Sequence, residues 1–95
     1  MLRITVEKEN DNTRLNLEGK LTGDWVGELE RCWISSQDQN TTSELFVDLS
    51  SVSFVDDTGK ALLGRMVSRG AKLRARGPLM TSLAKQIEND QRGIH

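Results

Sequence analysis

The amino-acid sequence predicts an α/β domain, a small mixed four-stranded sheet with helices packed mainly on one face, in the order β-β-α-β-α-β-α. Three observations predict it. Leu2, Ile4 and Val6 alternate with Arg3, Thr5 and Glu7, and Leu15 and Leu17 alternate with Asn16 and Glu18, the period-two pattern of strands with one buried face. Trp25, Leu29, Cys32 and Trp33, and later Leu62, Leu63, Met66 and Val67, recur at helical spacing. Between these stripes, Leu45 to Val47 and Leu49 form an apolar run with little alternation, which suits a central strand flanked by others.

Taken in order, the first two strands form a hairpin across the polar turn Glu9 to Asn12. Gly19 and Gly23 break the strand pattern, and Thr22 or Asp24 supplies a side chain able to cap the first helix. Both tryptophans fall on that helix's apolar stripe and are expected in the core, with Trp25 near the exposed helix start. Ser35 to Ser43 is a run of polar residues that reads as helix end plus loop. The third strand spans Leu45 to Leu49, with a second apolar patch at Val52, Phe54 and Val55. The second helix is expected over Thr58 to Arg69, with Gly70 as its C-terminal stop. Lys72, Arg74 and Arg76 then alternate with Leu73 and Ala75, a basic edge strand of the kind that resists pairing with another chain. Gly77-Pro78 opens a last helix carrying Leu79, Leu83 and Ile87, and residues 89–95 read as a frayed tail.

At 95 residues the chain fits a single domain, 1–95, with its core within about 2–88, and its 28% charged residues suit a small domain dominated by surface. No apolar stretch approaches the roughly 20 residues needed to cross a bilayer, so a cytoplasmic protein without direct membrane insertion is expected. The formal charge of −1 gives no basis for wholesale binding to nucleic acid. Charge is nevertheless uneven: residues 1–57 hold 12 acids against 5 bases, and residues 58–95 hold 8 bases against 2 acids. Arg65, Arg69, Lys72, Arg74 and Arg76 read as a solvated face, because no aromatic residue is interleaved to stack a base. The single cysteine, Cys32, has no partner within the chain and reads as a small core hydrophobe, while the only histidine is the last residue. No metal site and no cofactor are expected.

The segment most informative about function runs from Glu44 to Lys60, where an apolar strand empties into Asp56-Asp57-Thr58-Gly59-Lys60. Free amides and aligned peptide dipoles at a helix start favour acids there, and one of the two aspartates is expected as the N-cap. Lys60 could pair with Asp56 at i+4 or Asp57 at i+3. On these grounds alone the cluster serves equally well to start a helix.

The stretch Val47-Asp48-Leu49-Ser50-Ser51-Val52-Ser53-Phe54-Val55-Asp56-Asp57-Thr58-Gly59 resembles the signature of STAS domains, the sulfate-transporter and anti-sigma-factor-antagonist family. Leu15 to Leu21 is similar to that family's second strand and Gly-x-Leu turn, and Arg69 to Leu73 with Gly77 to its join between helix and last strand. The resemblance implies a non-enzymatic binding switch that docks on an anti-sigma factor of the serine-kinase type through the start of the second helix. It makes Asp56, Asp57, Thr58, Gly59, Lys60, Thr22 and Asp24 the candidate partner-binding residues. Asp57 stands where the family carries its phosphorylated serine, as a fixed and partial mimic with about one negative charge against −1.5 to −2 for phosphoserine. Thr58 is the candidate phosphoacceptor. Thr22 and Lys60 also depart from the family's usual acid and apolar residue.

The resemblance leaves two further readings. The same fold serves as a subunit of lipid-transport ABC complexes, where the helix start would brace an ATPase. A nucleotide-binding or metal-dependent enzyme is the third, with Asp48, Asp56 and Asp57 as acids for Mg²⁺. Against it, no histidine or tyrosine accompanies the serines, and Gly59-Lys60 lacks the phosphate-loop spacing. A monomer or weak dimer is expected.

Overall fold

The computed structural model describes residues 2–9, 12–37 and 44–92. Its elements are β1 (Leu2–Glu9), β2 (Asn12–Leu21), α1 (Asp24–Gln37), β3 (Glu44–Val55), α2 (Asp57–Ser68), β4 (Lys72–Arg74) and α3 (Pro78–Arg92). They follow the element order that the sequence patterns predict and form one four-stranded sheet, arranged β1-β2-β3-β4. The β1·β2 hairpin is antiparallel, whereas β2·β3 and β3·β4 are parallel and joined through α1 and α2. No helix among the described residues is long and apolar enough to cross a membrane.

Pairing register explains which side chains make the core. Leu15 lies opposite Val6 on one side and Val47 on the other, and Leu17 lies opposite Ile4, so the apolar positions of three strands share one face. Leu15, Leu17, Leu21, Val47 and Leu49 are buried beneath Leu29 of α1 and Leu62, Leu63 and Met66 of α2. Burying a side chain of this size contributes about 1.5–3 kcal/mol. The other face carries Arg3, Glu7, Arg14, Glu18, Asp48 and Arg74, and there the Arg74 guanidinium lies 5.1 Å from the centroid of the Phe46 ring.

Two strands are longer than their residue patterns suggest. β2 continues through Gly19 to Leu21, and β3 is a single strand of 12 residues rather than a short strand followed by a patch. Both extensions have the same cause. Between Asn16↔Asp48 and Glu18↔Ser51, and again between Gly19↔Val52 and Lys20↔Phe54, β3 carries one residue more than β2. Each insertion turns the alternation by one position. The buried residues of β3 therefore fall at Val47, Leu49, Val52 and Val55, spaced by two, three and three, while Phe54 stays 51% exposed. Side chains support both irregularities: Ser50 N donates to Asp48 Oδ1 at 2.9 Å, and Ser53 Oγ donates to Gly19 O at 3.3 Å. Asp48 is thus a mid-strand residue on the open face.

The helices keep their expected positions with altered faces. In α1 the buried stripe is Val26, Leu29 and Trp33, so Trp25 stands one position off the sheet-facing line at 37% exposed, and Cys32 is half-buried rather than core. Backbone bonds close the first turn, Trp25 N to Thr22 O at 3.0 Å and Val26 N to Gly23 O at 3.1 Å, in place of the side-chain cap expected from Thr22 or Asp24. The polar run after Ser35 remains helical to Gln37, and residues 38–43 lie outside the described residues. In α3 the inward stripe is Met80, Leu83, Ala84 and Ile87 instead of one beginning at Leu79, which is 71% exposed. That helix continues past Glu88 to Arg92, because no breaker intervenes before Gly93.

α2 ends as its sequence requires. Gly70 N donates to Val67 O and Ala71 N to Met66 O, both at 2.9 Å, the paired bonds of a Schellman stop, with Gly70 at φ 103°. β4 follows at once, three residues long and paired to Phe46, Val47 and Asp48. Arg76 lies beyond the strand.

Truncating the centre of this core tests the packing. Leu63→Ala, at a fully buried position of α2, is expected to lower unfolding free energy by about 2–5 kcal/mol in urea titrations at unchanged native circular dichroism.

Candidate functional site

The strand-to-helix junction after Val55 is organised by one carboxylate. Asp56 is the N-cap of α2, with extended backbone at φ −84° and ψ −177°. Its Oδ1 accepts Gly59 N at 2.8 Å, satisfying an amide that the helix start leaves open, and also accepts the Thr58 hydroxyl at 2.8 Å. Its Oδ2 accepts Gly23 N at 3.1 Å, from the loop that leads into α1. Asp56 N in turn donates to Leu21 O at 3.1 Å. The end of β2, the Thr22–Asp24 loop and the start of α2 are thereby bound into a single surface.

These bonds hold the Asp56 carboxyl below the usual carboxylate range, chiefly through the Gly59 amide, then the Gly23 amide and the Thr58 hydroxyl, against a small opposing effect of burial. The Asp48 carboxyl is lowered too. Burial pushes it up, but the Ser50 hydrogen bonds and the Arg14 and Arg76 charges outweigh that effect.

Gly59 is buried for a reason of space. A Cβ built there would lie 2.8 Å from Val55 Cγ1 and 2.9 Å from Leu21 O, and a backbone oxygen held in a sheet has little freedom to retreat. The helix can approach the ends of β2 and β3 this closely only with hydrogen at that position. Gly59 therefore shapes the site without presenting a side chain to it.

The remaining candidates divide by exposure. Asp57 occupies the first position of α2, exposed, and Thr58 is exposed with its hydroxyl engaged by Asp56. Of the two adjacent acids, Asp56 is the expected N-cap and is occupied internally, whereas Asp57 has no partner among the described residues. Lys60 is exposed and, among the described residues, forms no ion pair, so the expected pairing with Asp56 or Asp57 is not formed. Asp24 is exposed and Thr22 half-buried, and both stand within a residue of the bonded Gly23. Trp25 follows directly. Sequence reasoning missed the link between Gly23 and Asp56, which joins residues 33 apart in the chain, and favoured core packing for Trp25 while placing it near the exposed helix start, where the structure leaves it partly exposed. Among the described residues, no group of three or more His, Cys, Asp or Glu could hold a metal ion.

Comparison with solved structures identifies the fold. The chain is similar to an anti-sigma factor antagonist from Mycobacterium paratuberculosis, at 21% identity and a TM-score of 0.71, with 98% of this chain and 79% of that one covered. It is similar to the anti-sigma factor antagonist SpoIIAA in its unphosphorylated form at 20% identity and a TM-score of 0.60, covering 97% of this chain and 100% of that one. An antisigma-factor antagonist STAS domain from Rhodobacter sphaeroides matches at 20% identity and a TM-score of 0.55, over 87% and 90% of the two chains. The chain therefore has the STAS fold of anti-sigma factor antagonists. No protein-family model matches the sequence, and no curated protein does.

Two outcomes check the junction. Gly59→Ala is expected to cost about 1–3 kcal/mol of stability by overpacking against the Leu21 carbonyl, read from urea unfolding. Asp56→Ala is expected to lower Tm by on the order of 5 °C at neutral pH. Its pH dependence has a definite sign. A carboxyl lowered on folding contributes in full above its unfolded value, near roughly pH 4, and loses that contribution as pH falls through the lowered folded value. Stability measured from pH 5 downward should consequently fall less steeply in Asp56→Ala than in the parent chain, with Asp48 supplying part of the slope that remains.

Proposed function

We propose that this domain is a non-enzymatic regulatory switch of the anti-sigma-factor-antagonist type, which docks on an anti-sigma factor of the serine-kinase class. One observation carries the reading: Asp57 is exposed in the first turn of α2 and unpaired among the described residues, at the position that bears the phosphorylated serine in the family the sequence resembles. The similar solved structures include anti-sigma factor antagonists, and the fold is theirs.

The physical basis is a rigid docking rim. Asp56 fixes the loop at Gly23 against α2, so Asp24, Trp25, Asp57, Thr58 and Lys60 form a surface that a partner meets preassembled. A partly exposed tryptophan beside a charged helix start is the sort of anchor that dominates protein interfaces. Asp57 fixes the charge at that position permanently at about −1, between an unmodified hydroxyl and a phosphoserine. The domain then occupies one intermediate switch setting, and no kinase can change it at that atom. Thr58 offers the neighbouring hydroxyl, but its bond to Asp56 Oδ1 would have to break before it could accept a phosphoryl group.

The test pairs the protein with the serine-kinase anti-sigma factors of its own host. Asp57→Ser is expected to incorporate phosphate from ATP at residue 57 where the parent chain does not, and to shift affinity for the kinase by roughly tenfold. Asp57→Ala should shift affinity without restoring phosphorylation. If neither variant alters binding and no phosphate enters Asp57→Ser, the reading is wrong. Retention of a membrane ATPase in place of a kinase would move the domain to the transporter class.

A further inference from the structure

At one end of the sheet, β4 is a three-residue strand bearing Lys72 and Arg74, short and charged in the manner of a protected edge. At the other end stands β1, eight residues long, paired on one side to β2 and, among the described residues, to nothing on the other. A strand of that length with an open row of amides and carbonyls is a template for another strand, and which strand it fits depends on its side chains.

We propose that β1 pairs antiparallel with β1 of a second copy of this chain, centred on Thr5, to give a two-fold symmetric dimer with a continuous eight-stranded sheet. Antiparallel pairing about Thr5 sets Arg3 opposite the second copy's Glu7, and Ile4 opposite its Val6. The axis passes between the two Thr5 residues, perpendicular to the sheet, so each face continues across the junction and the helices of both copies lie on the same side.

Three features support this register. Within one copy Arg3 already stands opposite Glu18, with Arg3 Nη1 3.9 Å from Glu18 Oε1, and Glu7 stands opposite Arg14. Across the junction the row would read Glu18, Arg3, then Glu7 and Arg14 of the second copy, alternating in sign throughout, and symmetry provides this row twice. On the helix face Val6 is 44% exposed although it belongs to the apolar pattern of β1, and the second copy's Ile4 would cover it. At the centre, Thr5 beside Thr5, flanked by Asn16 on either side, is a favourable cross-strand pair. Registers shifted by two residues in the sum of paired positions place Arg3 against Thr5 or Glu7 against Thr5, and lose the alternation. Lys8, exposed on the helix face, limits the ladder to its central residues. A single strand pair falls short of the area of a standard interface, so a weak dimer is expected, with Kd on the order of 10–100 μM.

The inference is independent of the docking site at α2, and its test needs only the full chain. Sedimentation velocity across a concentration series should show a monomer–dimer equilibrium in the parent chain. Arg3→Glu places Glu against Glu twice, and Glu7→Arg places Arg against Arg twice, so each variant alone should dimerise roughly tenfold more weakly. Circular dichroism verifies that both remain folded. Mixed in equal amounts, the two variants restore both opposite-charge contacts and should form a heterodimer of parental affinity. A parent chain that stays monomeric to about 1 mM, single variants that dimerise like the parent, or a mixture that fails to associate would each overturn the proposal.

Discussion

The structure depends on the Asp56 carboxylate more than on any other polar group. Its two oxygens hold the first turn of α2, the Thr58 hydroxyl and the loop before α1, while its own amide is held by the end of β2. Helix starts leave amides unsatisfied, and each needs a partner. Here one residue satisfies amides from two separate elements, so the cap that begins a helix also sets the relation between that helix and the neighbouring loop. The close approach permitted by Gly59 completes the joint from the apolar side. A surface that must present a constant shape to a partner gains from such a joint, because the ordering is complete before binding begins.

The two irregularities between β2 and β3 serve the same junction. Without them strict alternation from Val47 would turn Val52 to the open face and Ser51 and Ser53 toward the core. The first extra residue in β3 brings Val52 inward, and the second returns Val55 to the same face, one residue before Asp56 begins the cap. The hydroxyl and carboxylate that meet these irregularities, Ser53 and Asp48, belong to the segment most alike to the STAS signature. Much of what reads as signature in that stretch is therefore the geometry needed to turn a strand into a helix over a packed sheet.

This explains what could be read from the residues and what could not. Element order, the hairpin and the stop at Gly70 follow from alternation, helical spacing and glycine placement, which are local signals. The length of β3 was hidden, since its inward residues are spaced by two, three and three, a rhythm that imitates a broken strand unless the pairing partner is known. Trp25 was misplaced because a stripe of large apolar residues at i, i+4 and i+8 fits a helix face as well as Val26, Leu29 and Trp33 do, and only the packing chooses between them. At the site, the cap at Asp56 was legible as one of two adjacent acids. The bond to Gly23 was not, because a contact between residues 33 apart leaves no trace in either local pattern.

The contrast between the two tryptophans has an optical consequence. Trp33 is 6% exposed, and its indole Nε1 has no hydrogen-bond partner among the described residues, whereas Trp25 is partly exposed beside the proposed docking rim. With no tyrosine in the chain, ultraviolet emission comes from these two rings alone: a blue component from the dry ring and a red component from the wet one. The molecule carries its own label beside the strand-to-helix junction and an internal standard in its core, so a partner that covers the proposed rim would be followed by spectral position without attaching a dye.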